Sequence, residues 1–228
     1  KFRMKNTTGY SLNALVDFSD PGPLGNFVDP KTVARLEQRM AKRGFLEASE
    51  MAGTFNLLRA NDLIWRYVTS SWLQGEDPPS FDLLQWNEDA TRMPARMHSE
   101  YLHWMYLENR LALGTLEIGG KVVSLGKSPV ELYVLSARED HITPWRGCYR
   151  TTQIAGGPTR FVLTSSGHIA GIVNPPGPKR KHWVNEALPE EPSEWFAGAS
   201  EVPGSWWEDW AGWAADRGGA RRTPPPLG

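Results

Sequence analysis

Two short runs of almost unbroken apolar residues, 130–136 (VELYVLS) and 160–165 (RFVLTS), constrain the fold more than any other feature of the chain. A strand with one wet face alternates apolar and polar residues. One that does not alternate is covered on both faces, the condition met in parallel sheets. Residues 145–154 between the two runs read as a helix, so strand, helix and strand follow one another. That order makes a parallel crossover unit, right-handed in nearly all known cases, and hence an α/β architecture.

The remaining elements are read from period and punctuation. Residues 10–18 (YSLNALVDF) read as a further short buried strand, closed by Pro21, Gly22 and Pro23. Asp29-Pro30 opens a helix whose apolar positions Val33, Leu36 and Met40 recur at helical spacing, and Gly44 ends it. A longer helix is expected over 49–73, with Phe55, Leu58, Trp65, Val68 and Trp72 along one face, and another over 94–113. Residues 81–89 fit either a short helix or a loop. The alternation in 115–125 around Gly119-Gly120 is a hairpin. Residues 175–182 (PPGPKRKH) read as a basic surface loop, 205–216 as a Trp-rich helix, and the chain from 217 as a disordered tail.

Composition excludes several classes. With 25 basic and 26 acidic residues the formal net charge is −1, which gives no electrostatic reason to expect nucleic acid or an anionic membrane as partner. No apolar run approaches the roughly 18 residues of a membrane helix. The single cysteine excludes an internal disulfide framework and a cysteine-based zinc site, and suits a reducing, cytoplasmic compartment. The 11 tryptophans fit an aromatic core and an interface equally well.

In open parallel sheets, functional groups gather where loops leave the carboxyl ends of adjacent strands. Asp140 and His168 each follow one of the two apolar runs, 28 positions apart, which is about one strand–helix–strand unit. An acid followed by a histidine is the order of the α/β-hydrolase triad, in which the nucleophile comes earlier in the chain. Other candidates are weaker. Cys148 lies inside the expected crossover helix, with no glycine two residues after it, and reads as a packing residue. His98 and His103 are five apart on a helix and share no face as metal ligands would. His141 either lines the site or bonds backbone in its loop, His182 reads as a surface residue, and Lys179, Arg180 and Lys181 fit a solvated loop better than a phosphate contact.

Residues 137–145 (AREDHITPW) and 166–177 (SGHIAGIVNPPG) resemble the poly(3-hydroxyalkanoate) synthases, the polyester polymerases of bacterial storage granules. Similar motifs run through 15–21, 50–65, 81–94, 181–189 and 204–213, so the resemblance covers nearly the whole chain, with the short-chain, single-subunit type the nearest in character. It implies a partial α/β-hydrolase fold with a mainly helical cap insertion. Residues 1–18 would be a core strand, 19–126 the cap, and 127–216 the core sheet with the catalytic pair. Trp86 would fall in the cap, in packing or in dimer contacts.

The resemblance further implies that Asp140 and His168 are the catalytic acid and base. The histidine would deprotonate a cysteine that attacks the thioester of an (R)-3-hydroxyacyl-CoA, and the acyl group would pass to the hydroxyl end of the growing polyester. Asp140 would either orient the histidine or help activate the 3-hydroxyl. The family's Gly-x-Cys-x-Gly elbow is expected upstream of Lys1, together with the front strands, which leaves a sheet edge exposed and this chain inactive alone. No metal or redox cofactor is implied, and coenzyme A is the leaving group. The whole enzyme would be a cytoplasmic homodimer at the granule surface. The alternatives are an esterase or depolymerase of the same fold, which needs a serine elbow, and a fragment that binds granules or dimerises without catalysis.

Overall fold

The computed structural model describes residues 8–58, 60–77 and 91–219. The expectations for 81–89, for Trp86 and for 220–228 lie outside the described residues. The chain forms two compact units, one of Lys1–Pro21 with Arg110–Gly228, the other Gly22–Asn109. Among the described residues the strands in chain order are β1 (Thr8–Leu12), β2 (Phe45–Leu46), β3 (Met93–Pro94), β4 (Leu116–Ile118), β5 (Lys121–Val123), β6 (Glu131–Ala137), β7 (Thr159–Thr164), β8 (Lys181–Val184) and β9 (Ser200–Pro203).

The first unit is built on a five-stranded sheet in the order β1-β6-β7-β8-β9. β1, β6 and β7 run parallel, with Tyr10 opposite Tyr133 and Val134 opposite Phe161. β8 and β9 continue the sheet antiparallel. The two apolar runs are therefore neighbouring parallel strands, joined by helices Trp145–Tyr149 and Thr151–Ile154. Alternate side chains go to opposite faces, and each face has its own core. Val134, Phe161 and Leu163 meet Tyr149, Trp183 and Trp195 on one side. Tyr133, Leu135 and Val162 meet Trp206 and Trp213 on the other. Trp195 is fully buried, with its ring centroid 4.8 Å from that of Phe161 in an edge-on contact.

Helix Trp206–Arg217 closes the second face, and polar contacts fix it in place. Ser205 caps it, accepting from the Trp207 amide at 3.2 Å. In its first turn, Asp209 accepts from the Tyr133 hydroxyl at 2.9 Å and from Arg160 through both oxygens, while Arg160 also reaches Glu186 at 2.7 Å. Burial opposes the charge on Asp209, but the bonds from Arg160 and Tyr133 prevail and hold its pKa below the ordinary value.

Three expectations for the first unit need correction. The strand expected over 10–18 stops at Leu12, because Asn13 takes a left-handed φ of 43° and turns the chain out of the sheet. The loop expected over 175–182 gives its last two residues to β8, where His182 is buried and its Nδ1 lies 3.2 Å from the Gly204 carbonyl. Lys181 pairs with Glu201 at 3.0 Å across the ladder. Arg217, assigned to the tail, completes the last helix. It binds Glu131 at 2.5 Å and covers the Trp213 ring at 4.3 Å. The hairpin at 115–125 forms as β4 and β5, with Gly119 and Gly120 at φ 59° and 74°.

In the second unit, helix Pro30–Arg43 has Asp29 as N-cap, Pro30 in its first turn and Gly44 at φ 83° as C-cap, and it buries Val33 and Met40. The helix expected over 49–73 is α-helical over Ala48–Leu58 and then widens, with i→i+5 bonding at Asn61–Trp65 and Val68–Leu73. The one expected over 94–113 is α-helical over Ala95–Tyr101 and widens at Leu102–Leu107.

Asp209→Ala removes the common acceptor of Tyr133 and Arg160 and leaves both groups short of a partner. Urea unfolding of this variant is expected to show a loss of about 2 kcal/mol. An unchanged midpoint would show that the network does not hold the helix.

Candidate active site

The loops after β6 and β7 are zipped together. The Arg138 amide donates to the Thr164 carbonyl at 2.8 Å, and the Glu139 amide to that of Ser166 at 3.1 Å. Ser166 has a left-handed φ of 77°, and helix His168–Val173 begins two residues later. That helix lies close on β6: a Cβ on Gly171 would sit 2.5 Å from the Ala137 Cβ, so only glycine fits there.

Asp140 and His168 thereby meet. The His168 Nδ1 is 2.7 Å from Asp140 Oδ2. Asp140 Oδ2 also accepts from the Thr143 hydroxyl at 2.7 Å, and Oδ1 from the amides of Ile142 and Thr143 at 2.8 and 3.0 Å. The carboxylate side chain is wholly buried, whereas the imidazole keeps 35% of its surface accessible. Burial favours the neutral acid, but the bonds from His168 and Thr143 outweigh it, so the pKa of Asp140 lies below its ordinary 3.8. An ionised Asp140 can only accept, so Nδ1 carries the shared proton. In the neutral imidazole Nε2 is then the free base.

The other candidates fall elsewhere. Cys148 is fully buried in helix Trp145–Tyr149, with its Sγ 3.7 Å from the Thr143 carbonyl, and burial pushes its thiol up to about 11. Such a thiol is a poor nucleophile at neutral pH. His141 is half-buried beside Asp140. In the second unit His98 is buried next to Met93, and His103 pairs with Glu37 at 3.1 Å. Among the described residues no cluster of side chains could hold a metal ion, and no helix is long and apolar enough to cross a membrane.

Two contributors escaped the sequence reading. Thr143 follows the pattern Asp-x-x-Thr just ahead of a helix, a signal that was present in the sequence, since Asp29 and Thr32 make the same set of bonds at the first helix. Asn13 lies 155 positions from His168 and carries no local signal.

Fold and geometry thus define an α/β protein whose parallel strands present a buried carboxylate–imidazole pair. No family model matches the chain. Curated relatives do match it. The chain is 46% identical over 221 residues to the poly(3-hydroxyalkanoate) polymerase subunit PhaC of Cupriavidus necator, covering 94% of this chain and 38% of that protein. It is 46% identical over 223 residues to the subunit of the same name from Rhizobium meliloti, covering 97% and 36%. It is 38% identical over 227 residues to poly(3-hydroxyalkanoate) polymerase 2 of Ectopseudomonas oleovorans, covering 95% and 40%. The chain spans well under half the length of these relatives, and over that part it is similar to poly(3-hydroxyalkanoate) polymerases.

Thr143→Val removes one of the bonds that depress the Asp140 pKa. A depressed carboxylate stabilises the fold above its unfolded pKa and stops doing so as the pH falls through the folded one. The variant is therefore expected to lose about 1 kcal/mol at pH 6 and to converge on the parent below the carboxylate range. A gap that stays constant with pH would contradict the linkage. Cys148 is expected to resist iodoacetamide at pH 8 in the folded chain and to react fully in urea. Rapid labelling of folded protein would contradict its burial.

Proposed function

We propose that this chain is the acid–base portion, towards the C-terminal end, of a poly(3-hydroxyalkanoate) polymerase. The nucleophilic cysteine would come from the part of the polymerase that this chain does not span. The observation that carries the reading is the 2.7 Å contact between the accessible His168 and the buried Asp140. His168 takes the thiol proton at Nε2, and the thiolate attacks the thioester carbonyl of an (R)-3-hydroxyacyl-CoA. The bond from the acyl carbon to the coenzyme A sulfur breaks, and the departing thiolate recovers the proton from the imidazolium. The 3-hydroxyl end of the growing chain then gives its proton to His168 and attacks the enzyme-bound acyl group. The bond from the acyl carbon to the cysteine sulfur breaks, the cysteine thiolate recovers the proton from the imidazolium, and the polyester is longer by one unit. Asp140 holds the tautomer and stabilises the imidazolium.

On this reading the sheet unit belongs to an α/β-hydrolase fold and the helical unit Gly22–Asn109 to its cap. The chemistry uses no metal or redox cofactor. The family resemblance supports a cytoplasmic homodimer working at the granule surface.

The test is a chimera in which this chain replaces the matched segment of the Cupriavidus necator subunit. It is expected to release coenzyme A from (R)-3-hydroxybutyryl-CoA, and His168→Gln to lower turnover by about 10³-fold or more. A His168→Gln chimera within tenfold of its parent would overturn the assignment.

A further inference from the structure

The residue that ends β1 is joined to both halves of the site. Asn13 is buried, 7% exposed, and its side-chain amide bonds backbone groups of both segments that carry the pair. Its Oδ1 accepts from the Ala137 amide at 2.8 Å. Its Nδ2 donates to the His168 carbonyl at 2.8 Å. Ala137 is the last residue of β6, three positions before Asp140, and the Asp140 amide bonds back to its carbonyl at 3.2 Å. One planar group therefore grips the point where the acid's loop departs and the backbone of the base.

We propose that Asn13 is a positioning residue, one that sets the distance between Asp140 and His168 by clamping their backbones together. This rests on the catalytic reading of the pair given above.

The chemistry of the position selects asparagine. The bridge needs an acceptor at one end and a donor at the other, in one short rigid plane. Aspartate offers the acceptor but no donor, leucine has the shape and neither group, and glutamine places the amide one methylene too far. Asparagine also tolerates the left-handed backbone, φ 43°, better than most residues. The Asn13 backbone amide is engaged as well, donating to the Leu135 carbonyl at 2.9 Å, so the residue is fixed to β6 from both its main chain and its side chain. A rigid clamp of this kind matters because catalysis is sensitive to displacements of about 1 Å, at a cost of roughly 10²-fold.

A second bridging asparagine, half-buried, serves for comparison. Asn185 also bridges two backbone groups, donating to the Trp195 carbonyl and accepting from the Ala187 amide, each at 3.0 Å, and it touches neither Asp140 nor His168. A merely structural role predicts that loss of either bridge has the same consequence.

The experiment compares Asn13→Leu with Asn185→Leu. The first readout is the downfield proton of the His168 Nδ1···Asp140 bond, observed by NMR in the ¹⁵N-histidine-labelled chain. The second is turnover in the chimera. Asn13→Leu is expected to shift or abolish the proton signal and to lower kcat about 10- to 100-fold, with KM within about twofold. Asn185→Leu is expected to leave both unchanged. Should Asn13→Leu fail to fold, Asn13→Asp decides: it retains the bond from the Ala137 amide, lacks a donor for the His168 carbonyl when ionised, and is expected to shift the same signal. An unshifted signal in a folded variant, or equal effects from the two leucine variants, overturns the proposal. The proton signal reports on the clamp whether or not His168→Gln abolishes turnover, so failure of the clamp and failure of the catalytic reading are told apart.

Discussion

A carboxylate taken wholly out of water must be met by donors, and the site is organised around that requirement at Asp140. An ionised carboxyl group has about four acceptor directions. Ile142 and Thr143 amides fill two, the Thr143 hydroxyl a third and His168 the fourth. Asp29 and Thr32 make the three local bonds of the same kind at a solvent-exposed helix start, where they serve as a cap. What separates the two aspartates is depth. At the end of β6, water cannot supply the remaining donor, and an imidazole from the next loop does so.

That depth is a product of the sheet. β6 and β7 carry apolar side chains to both faces, and each face is closed by aromatic rings, Trp195 with Tyr149 on one and Trp206 with Trp213 on the other. The closing elements also reach the site. The Trp206 indole donates to the Ile172 carbonyl at 3.0 Å and the Ser205 hydroxyl to that of Asn174 at 2.5 Å, so the last helix holds the far end of the one that His168 begins. Arg160 and Tyr133, both on the core strands, bind Asp209 of the same helix. Position at the strand ends is thus fixed by burial along the strands and by polar contacts beyond them.

The parts that were legible in the sequence are those with a local signature. Non-alternating apolar runs announced the two central strands, and their following loops announced Asp140 and His168, with the family motifs around both. Asp29-Pro30 and Gly44 marked a helix because caps are chemistry confined to a few adjacent residues. What escaped depends on distant partners. Nothing near Asn13 says that its amide meets residues 124 and 155 positions away, just past the end of β1. His182 stands in a Pro-rich basic stretch whose local composition points to the surface. Pairing with β7 and β9 buries it, and tertiary context of that sort overrides local composition.

The saturation of Asp140 also bears on how the proposed chemistry divides between the two residues. A carboxylate that activated a 3-hydroxyl would have to accept its proton, and so would need an acceptor direction open to the substrate. Asp140 has none, and its side chain is shielded completely. Opening one would mean breaking the bond to Thr143 or to His168, and the second choice would undo the tautomer that leaves Nε2 as base. His168, with a third of its surface accessible, faces no such conflict. On the proposed reading a single imidazole therefore handles both proton transfers, from the thiol in the first half-reaction and from the hydroxyl in the second. Asp140 contributes by remaining ionised and in place, which is the condition that its four bonds and its lowered pKa both describe.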